Sequence, residues 1–434
     1  MPASPARVVA QRVLERVFRE GAWADRAFRG EAERAGLDPR ERAFAQALAY
    51  GAVQRVRTLD HVLERCSSRT LDEVQPDVRD ALRLGVLQVV WLDGVPDRAA
   101  VDQTVELVKA AVPRAGGFAN AVMRRAAREA RGIVDGLPEG TASEAALKHS
   151  HPDWLARMWW KQLGADEARA LMARDNEPAE SALRANTLRA APEEVRAELE
   201  RAGAEARPAE PLGAGAEPAP VAGALPEGIV VAGAFDAHAS DLFARGLVMP
   251  QSRGSMLVAR TLAPQPGERV LDMCAAPGAK STHLAALMGN EGEVVAVESN
   301  EQRAGELRAN AARLGATIVH VRTQDAREPV EPGGFDRVLL DAPCSDLGTL
   351  QSRPDARWRK GPAAIEELAE LQQELLDAAL AQLRPGGRLV YSTCTISPRE
   401  QVGSLPGMRA EPPIQALPHR HGTDGFFIAG FTSA

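Results

Sequence analysis

Asp336-Arg-Val-Leu-Leu-Asp-Ala-Pro-Cys-Ser345 gives the clearest indication of the fold class of this 434-residue chain. Its short apolar run, Val338 to Leu340, ends abruptly in an acid, a small residue, a proline and a cysteine. Such a run predicts a buried parallel strand that stops where polar chemistry begins. Ligands of open α/β sheets lie outside the carboxyl ends of the strands, so we expect Asp341 and Cys344 beside a pocket. Taken alone, Cys344 fits equally well in a joint between a helix and a strand, because buried cysteine is common.

Strands and helices alternate around this stretch from about Gln251 onward. The predicted strands are Arg269–Met273, Glu293–Glu298, Ile318–Arg322, Arg337–Leu340 and Arg388–Ser392. The predicted helices between them are Ser281–Met288, Gln302–Leu314 and Pro362–Leu383. This alternation predicts a doubly wound parallel sheet, and hence a Rossmann-like α/β domain over residues 251–434.

The part of the chain before residue 251 has a different pattern. Residues 1–134 keep helical hydrophobic spacing and have no strand pattern, which predicts an all-α module. Residues 135–150 are typical of a linker. Residues 151–250 predict a small α+β subdomain, with a strand over Ala182–Leu188 and a loop rich in Pro, Gly, Ala and Glu over 206–223.

The charge of the all-α module contrasts with that of the whole chain. The net charge up to Arg131 is about +4, whereas the whole chain carries −7. Its last predicted helix has a basic stripe, formed by Arg124, Arg125, Arg128 and Arg131. Either a phosphate contact or a solvated helix face explains this stripe. The acidic total weakens a nucleic-acid interpretation without excluding it, because local patches matter more than totals.

The composition is that of a globular chain of two or three domains. Hydrophobic residues make up 45% and charged residues 26%, while aromatic residues are only 4%, which limits base stacking. The chain has no signal-peptide core and no apolar span of about 20 residues, so we expect a cytoplasmic location without membrane contact. Cys66, Cys274, Cys344 and Cys394 lack the close spacing of a zinc site, so we expect free thiols and no metal.

A loop of small residues follows the first strand of the α/β domain, Leu271-Asp-Met-Cys-Ala-Ala-Pro-Gly-Ala-Lys280. Small residues let a ligand approach the backbone, and the helix that follows presents unpaired N–H groups. The loop lacks the glycine patterns of dinucleotide and triphosphate sites. Glu298, Asp325 and Asp341 follow three consecutive strands, and acids beside such a loop favour an adenosine-bearing cofactor. Glu298 would bind the ribose diol, although alone it could be a solvated turn residue.

Three motifs in the sequence resemble those of a known family. Asp272-Met-Cys-Ala-Ala-Pro-Gly-Ala-Lys280, Asp341-Ala-Pro-Cys-Ser345 and Ser392-Thr-Cys-Thr-Ile-Ser-Pro398 resemble the motifs of RNA cytosine-C5 methyltransferases of the RsmB/Nop family, which use S-adenosylmethionine. The first module resembles the NusB-like RNA-binding domain, and Gly117-Phe-Ala-Asn-Ala-Val122 is similar to the RsmB branch. Ser181-Ala-Leu-Arg-Ala-Asn-Thr-Leu188 resembles the family's small RRM-like domain. The resemblance covers nearly the whole chain.

The resemblance implies a function for each matching position. The residues that would line the methionine and adenosine parts of the cofactor are Cys274, Ala275, Ala276, Pro277, Gly278, Ala279 and Lys280. Glu298 would hold the ribose where most relatives have Asp, and Asp325 would lie near the adenine. Cys394 of the Thr-Cys motif would be the nucleophile, Cys344 would help to release the product, and Asp341 would hydrogen-bond the target base.

The chemistry explains why such an enzyme needs two cysteines. Cytosine C5 is a weak nucleophile, and a thiolate that adds to C6 makes it enamine-like, so that it can take a methyl group. Loss of the C5 proton and of the thiolate completes the reaction. The target base must leave its stack. Trp358, flanked by Arg357, Arg359 and Lys360, is either on an RNA-facing loop or packed on the catalytic core.

The sequence departs from the family pattern in three places. Ala279 stands where a second glycine is usual, and Asp346 where a small residue is usual. An acid beside the active thiol would lower its thiolate fraction or repel phosphate. Residues 400–417 are short and helix-poor, which predicts a trimmed sheet edge, although the Asp424-Gly-Phe-Phe-Ile428 end is present.

We therefore expect a monomeric enzyme that methylates small-subunit (16S) ribosomal RNA at cytosine C5. A non-catalytic RNA-binding or ribosome-assembly factor is one alternative, and retention of both cysteines and of the acids opposes it. A cytosine-C5 methyltransferase of transfer RNA or another RNA is a second. A DNA cytosine-C5 methyltransferase, whose Pro-Cys cysteine is the nucleophile, is disfavoured by the Thr-Cys motif and the NusB-like module, so we expect no DNA partner.

Overall fold

The structure, a computed structural model, describes residues 2–212, 224–233 and 235–433. The chain divides into two compact units. The first contains Met1–Pro178 and Leu350–Arg359, and the second contains Ala179–Thr349 and Lys360–Ala434. Among the helices of the described ranges, none combines the length and the apolar content that a membrane span needs.

The first unit is helical, and this agrees with the all-α prediction for residues 1–134. It also contains residues 135–178, although the sequence predicted that the linker ends at 150 and that the α+β subdomain begins at 151. Its helices up to residue 178 are α1 Pro5–Phe18, α2 Ala24–Ala35, α3 Pro39–Gln54, α4 Val56–Cys66, α5 Pro76–Trp91, α6 Asp97–Ala111, α7 Gly116–Asp135, α8 Ala142–Lys148, α9 Asp153–Leu163 and α10 Ala165–Arg174. Proline at the first position, where no N–H is needed, starts α1, α3 and α5. Helix α5 is buried almost all round at its centre, which explains its nearly continuous apolar sequence. Helix α8 lies in the stretch predicted as a linker.

The basic stripe of α7 is an exposed helix face that is partly neutralised. Arg131 makes two hydrogen bonds to Asp97, at 3.0 and 2.7 Å. Arg125 pairs with Glu129, one turn further along the helix, at 2.8 Å. These ion pairs fit the solvated-face interpretation of the stripe better than a dedicated phosphate site.

The second unit begins with the predicted α+β subdomain. Its antiparallel sheet has the strand order β2-β3-β1-β4, formed by β1 Ser181–Ala185, β2 Glu205–Pro208, β3 Gly228–Ala232 and β4 Val248–Pro250, and its helices are α11 Pro192–Arg201 and α12 Asp241–Ala244. The predicted first strand ends early because the Asn186 side chain turns to donate hydrogen bonds to the carbonyls of Gly246 and Leu314. The predicted loop over 206–223 is wrong at its start, where β2 pairs with β3. Its residues 213–223 lie outside the described residues.

The large sheet confirms the predicted doubly wound architecture. Its strands are β5 Arg269–Met273, β6 Glu293–Glu298, β7 Val319–Thr323, β8 Phe335–Asp341, β9 Leu383–Thr393, β10 Met408–Ala410, β11 Ile414–Ala416 and β12 Phe426–Ser433. The strand order is β10-β12-β9-β8-β5-β6-β7, and β9, β8, β5, β6 and β7 are mutually parallel. The order reverses between β5 and β8. This reversal opens a crevice at the carboxyl ends of the two strands.

The flanking helices cover both faces of this sheet. They are α13 Arg253–Leu262, α14 Ala279–Leu287, α15 Glu301–Leu314, α17 Pro362–Gln382 and α18 Pro418–His421. Helix α16, Ala356–Arg359, lies between α15 and α17 in the sequence but belongs to the first unit. Leu271 and Leu340 face one apolar core, and Val270 and Leu339 face the other. Burial on both faces is the reason why these strands are apolar without alternation.

Residues 401–417, all of which the structure describes, form two short strands and no α-helix. Both β10 and β11 pair antiparallel with β12. They therefore protect the edge of β12, whereas the sequence predicted only a trimmed edge.

The segment Leu350–Arg359 does not match either interpretation of Trp358. Trp358 is half-buried in the first unit, packs on its apolar core and donates a 2.8 Å hydrogen bond to the Val53 carbonyl. Arg357 is completely buried there and donates to Asn176 Oδ1 at 2.8 Å and to the Asp175 carbonyl at 2.9 Å. Both predictions for Trp358 are therefore wrong, because the helical unit supplies the apolar surface and the buried acceptors that this segment needs.

Candidate active site

The small-residue loop after β5 has the backbone that close ligand approach requires. Cys274 has a positive φ of 62°, and Gly278 has a φ of 96° immediately before α14. A Cβ atom on Gly278 would lie 3.0 Å from Leu307 Cγ, so only glycine fits this position without strain. Ala279 is the first residue of α14, where a helical φ suits alanine. The departure at Ala279 therefore leaves the loop intact.

The acids at the ends of β5, β6 and β7 differ in their surroundings. Glu298 is buried, accepts a hydrogen bond from Asn300 N at 3.0 Å and lies 3.4 Å from the Arg303 guanidinium. Asp325 is half-buried beside Arg327, whose hydrogen bonds lower the pKa of the carboxyl group. Asp272 is fully buried, and burial raises its pKa to about 7.

These groups fit the cofactor that the sequence predicts. Asp272 accepts a hydrogen bond from Ser281 Oγ on one oxygen, while its Oδ1 has no hydrogen-bond partner among the described residues. An orphaned, buried acceptor beside acids at neighbouring strand ends suits a ligand that brings an amino group and a ribose diol. The loop of small residues leaves its backbone accessible to such a ligand.

Asp341, at the end of β8, joins the cofactor loop to β9. Lys280 Nζ donates to one carboxylate oxygen of Asp341 at 2.7 Å, and Ser392 Oγ donates to the other, also at 2.7 Å. Burial alone would lower the pKa of Lys280, but the carboxylate of Asp341 outweighs it and the pKa is raised. Lys280 is therefore an ammonium group at neutral pH, and Asp341 is held in one orientation from both sides.

The two cysteines predicted to act together are adjacent. Cys344 Sγ and Cys394 Sγ are 3.3 Å apart, and the Cys394 thiol lies 3.2 Å from Asp346 Oδ1. Two backbone hydrogen bonds connect their loops, from Ala342 N to the Ser392 carbonyl at 3.0 Å and from Gly348 N to the Cys394 carbonyl at 2.9 Å. Cys344 is buried and Cys394 is partly exposed, so the more accessible of the two thiols is that of Cys394.

A buried polar network beneath the cysteine loop was missed by the sequence analysis. Glu400 is buried and accepts hydrogen bonds from Ser345 N at 2.8 Å and from Gln372 Nε2 at 3.2 Å. Gln372 also donates to the Pro343 carbonyl at 2.8 Å, on the other side of the loop. The only signal in the sequence was an acid in a proline-started turn shortly after the Thr-Cys motif. These contacts fix the backbone that carries Cys344.

Cys274 is a third cysteine at the end of a strand, and its properties differ. Burial, followed by the nearby charges of Asp341 and Glu298, raises its pKa to about 12. A thiol with that pKa stays protonated and is a poor nucleophile at neutral pH. This supports the predicted position of Cys274 in the lining of the cofactor site.

Comparisons with known proteins agree with this architecture. The profile described as 16S rRNA methyltransferase RsmB/F matches residues 259–407, the NusB family profile matches residues 4–128, and the ferredoxin-like domain profile of RsmF/B-like methyltransferases matches residues 151–216. The probable ribosomal RNA small subunit methyltransferase B of Synechocystis sp. is 34% identical, covering 99% of each chain. The chain belongs to the RsmB/F methyltransferase family. The enzyme of the same name from Thermus thermophilus is 36% identical, covering 97% of this chain and 92% of its own.

Two solved structures that are at least 25% identical to the chain support the fold, and one of them also supports the cofactor. The protein PH0851 has a TM-score of 0.80 and 27% identity, covering 99% of each chain. NSun6 from Pyrococcus horikoshii, solved with the S-adenosylmethionine analogue SFG, has a TM-score of 0.57 and 25% identity, covering 65% of this chain and 98% of its own. The cofactor of the 434-residue chain is S-adenosylmethionine. When bound, it supplies an electrophilic methyl group.

Proposed function

We propose that this RsmB/F family methyltransferase transfers a methyl group to C5 of a cytosine in small-subunit ribosomal RNA. The observation that carries the proposal is the pair of thiols at the ends of β8 and β9, with 3.3 Å between Cys344 Sγ and Cys394 Sγ, next to Asp341. A methyltransferase that acts on an exocyclic amino group needs no thiol, whereas C5 methylation needs one to activate the ring. The names of the relatives from Synechocystis and Thermus thermophilus support ribosomal RNA as the substrate.

Cys394 is the proposed nucleophile. Its thiol is partly exposed, so it can reach C6 of the base and release its proton to solvent as the S–C6 bond forms. The electrons of the C5–C6 double bond would then form the new bond from C5 to the methyl group, and the bond from that methyl group to the sulfonium sulfur would break, leaving S-adenosylhomocysteine. A base removes the C5 proton, the S–C6 bond breaks, and the thiolate returns to Cys394.

Cys344 and Asp341 assist this sequence. Cys344 Sγ is close enough to Cys394 Sγ to influence the elimination step, which supports its proposed action in product release. Asp341 is an acceptor that Lys280 and Ser392 hold in place, and an acidic side chain matches the N4 amino group of cytosine. We propose that Asp341 hydrogen-bonds the polar edge of the base during adduct formation.

The remaining predictions for binding follow from the same proposal. Glu298 would bind the ribose and Asp325 the adenine region, while the residues from Cys274 to Lys280 line the rest of the cofactor. Residues 1–134 would form the RNA-binding module, 135–150 a linker, 151–250 the small subdomain and 251–434 the methyltransferase domain. We propose that the enzyme acts as a monomer, and a ribosomal RNA substrate agrees with a cytoplasmic location.

One assay tests the proposal. Purified enzyme is incubated with labelled S-adenosylmethionine and undermethylated small-subunit RNA, transfer RNA or duplex DNA, and the product is digested and identified as 5-methylcytidine or another nucleoside. We expect 5-methylcytidine in small-subunit RNA with the wild type and with Cys66→Ala, a matched variant at a cysteine outside the site. Cys394→Ala should be inactive, and Cys344→Ala should accumulate a protein–RNA adduct that survives denaturation.

Specific outcomes contradict the proposal. Methylation by Cys394→Ala would refute the assignment of Cys394 as the nucleophile. N4-methylcytidine as the product would refute methylation at C5. Label in transfer RNA alone would mean that transfer RNA, and not ribosomal RNA, is the substrate. Label in DNA would support the DNA cytosine-C5 methyltransferase alternative. Inactivity with every nucleic acid in the presence of bound cofactor would favour an assembly factor.

A further inference from the structure

Three side chains that can ligate a metal ion converge at the proposed nucleophile. The Sγ atoms of Cys344 and Cys394 and a carboxylate oxygen of Asp346 all lie within 4.8 Å of one another. The two sulfur atoms are 3.3 Å apart, and Cys394 Sγ is 3.2 Å from Asp346 Oδ1. The spacing in the sequence gave no sign of this cluster, because 50 residues separate the two cysteines.

The distances are close to those of a tetrahedral zinc site. Zinc binds sulfur at about 2.3 Å and carboxylate oxygen at about 2.0–2.2 Å, so tetrahedral angles require about 3.8 Å between two sulfurs and about 3.6 Å between sulfur and oxygen. The distances from Cys394 Sγ to Cys344 Sγ and to Asp346 Oδ1 need to open by about half an ångström, which small side-chain rotations can supply.

Asp346 has a conformation and a charge that are unusual beside a nucleophile. Its φ is +61°, in the left-handed region that disfavours residues with a Cβ atom. In this conformation the Asp346 carboxylate lies 3.2 Å from the Cys394 thiol. A divalent cation would neutralise the carboxylate and both thiolates at once. Since Asp346 and Cys394 are partly exposed, water can complete the fourth position.

We propose that Cys344, Asp346 and Cys394 form a binding site for Zn²⁺ that inhibits the enzyme reversibly. On binding, both thiols lose their protons to solvent and two S–Zn bonds and one O–Zn bond form, with no change of oxidation state. The bound ion occupies the lone pair that Cys394 needs for attack on the base. The inhibition rests on the proposed function, whereas the binding does not.

Cobalt titration tests the binding without RNA. Fully reduced, chelator-treated protein is titrated with Co²⁺ under anaerobic conditions, which prevents a disulfide between the two cysteines from competing. We expect one equivalent to give the visible bands of tetrahedral Co²⁺ and a sulfur-to-cobalt charge-transfer band, and Zn²⁺ to displace it. Cys66→Ala and Cys274→Ser, the matched cysteine variants, should bind as the wild type does.

Variants at the site determine the ligands. Cys344→Ala and Cys394→Ala should each weaken the charge-transfer band and the affinity. Asp346→Asn keeps the shape and tolerates a positive φ, but loses the charge. Outer-shell contacts already contribute about 10- to 100-fold to metal affinity, so loss of a direct ligand should weaken binding at least about tenfold. Unchanged binding in any one of these three variants overturns the assignment, as does the absence of tetrahedral bands in the wild type.

The inhibition is measured separately, on the active enzyme. Zn²⁺ should abolish methyl transfer by the wild type, a chelator should restore it, and Asp346→Asn should need at least about ten times more Zn²⁺ for the same inhibition. Full activity with Zn²⁺ bound would overturn the inhibitory claim. If the protein methylates no RNA, the proposed function fails, while the cobalt titration still decides whether the metal site exists.

Discussion

The two halves of the crevice differ in where their contacts come from in the sequence. In the cofactor half, at the ends of β5 to β7, Glu298 and Asp325 are held by partners only two residues away, Asn300 and Arg327. In the thiol half, at the ends of β8 and β9, Cys344 meets Cys394 across 50 residues of sequence. Cysteines end strands in both halves, so the position alone does not determine whether a cysteine reacts. The neighbours determine it, and substitutions in matched pairs can test this difference.

The largest effect is expected from comparing two cysteines with the same substitution. Cys394→Ser should reduce kcat by on the order of 10³-fold or more, because a hydroxyl does not replace a thiolate as the nucleophile. Cys274→Ser should leave kcat within about tenfold and change mainly the KM for S-adenosylmethionine, because its thiol has a pKa of about 12 and stays protonated. Steady-state methylation of small-subunit RNA measures both constants. Equal losses of kcat would show that the two halves do not divide the chemistry in this way.

A pair of acids gives the next largest difference. Asp341→Asn removes the charge that Lys280 and Ser392 contact at 2.7 Å, so we expect kcat to fall by about 10²- to 10³-fold. Asp325→Asn, at the more exposed end of β7, should raise the KM for the cofactor by about three- to tenfold with kcat unchanged. Circular dichroism of both variants controls for folding. A loss of kcat in Asp325→Asn as large as that in Asp341→Asn would contradict the division.

The buried acid of the cofactor half should make stability depend on pH. The pKa of Asp272 is raised from 3.8 to about 7 by burial, so the folded state binds more protons than the unfolded state between these values. Its contribution to stability therefore decreases as the pH rises through this window. Asp272→Asn stays neutral, so its Tm relative to the wild type should rise between about pH 5 and about pH 9. Calorimetry in the absence of cofactor tests this, and a constant Tm difference across the range would refute the raised pKa.

Much of the parallel sheet could be predicted because local patterns determine it. Strands β5 and β6 span the predicted residues, since their apolar runs end in clear turn residues. Strands β8 and β9 are longer than predicted at both ends. Helix α17 ends at Gln382, within one residue of its predicted end, and Pro385-Gly-Gly387 then lies within β9 at an irregularity of the ladder, where the register shifts between Phe335 and Arg337. A local sequence signal cannot distinguish a turn from a bulge that a neighbouring strand stabilises.

The contacts that could not be predicted join distant parts of the sequence. Trp358 was predicted from its basic neighbours, but Arg357 is buried and donates to Asn176, which is 181 residues away. Glu400 has no nearby motif that reveals its hydrogen bond to Ser345 N. The position of Asp346 in the motif predicts an acid beside the active thiol, but its 3.2 Å contact with the Cys394 thiol depends on the two loops meeting. Tertiary packing provides each of these contacts.

The smallest effect is expected at Glu298, where the resemblance to the family leads us to expect Asp. Glu298 is buried, and Asn300 N binds one of its oxygens at 3.0 Å, so the carboxylate is held by local contacts that a shorter side chain can keep after a slight shift. Glu298→Asp should change the KM for S-adenosylmethionine by less than about threefold. Glu298→Gln replaces an acceptor oxygen by a donor, so one ribose hydroxyl loses its acceptor and KM should rise by about tenfold or more. Calorimetric titration of the cofactor separates binding from turnover. If the Glu298→Gln variant binds the cofactor as well as the Glu298→Asp variant does, another residue holds the ribose. The local contacts of the cofactor half then serve only the fold.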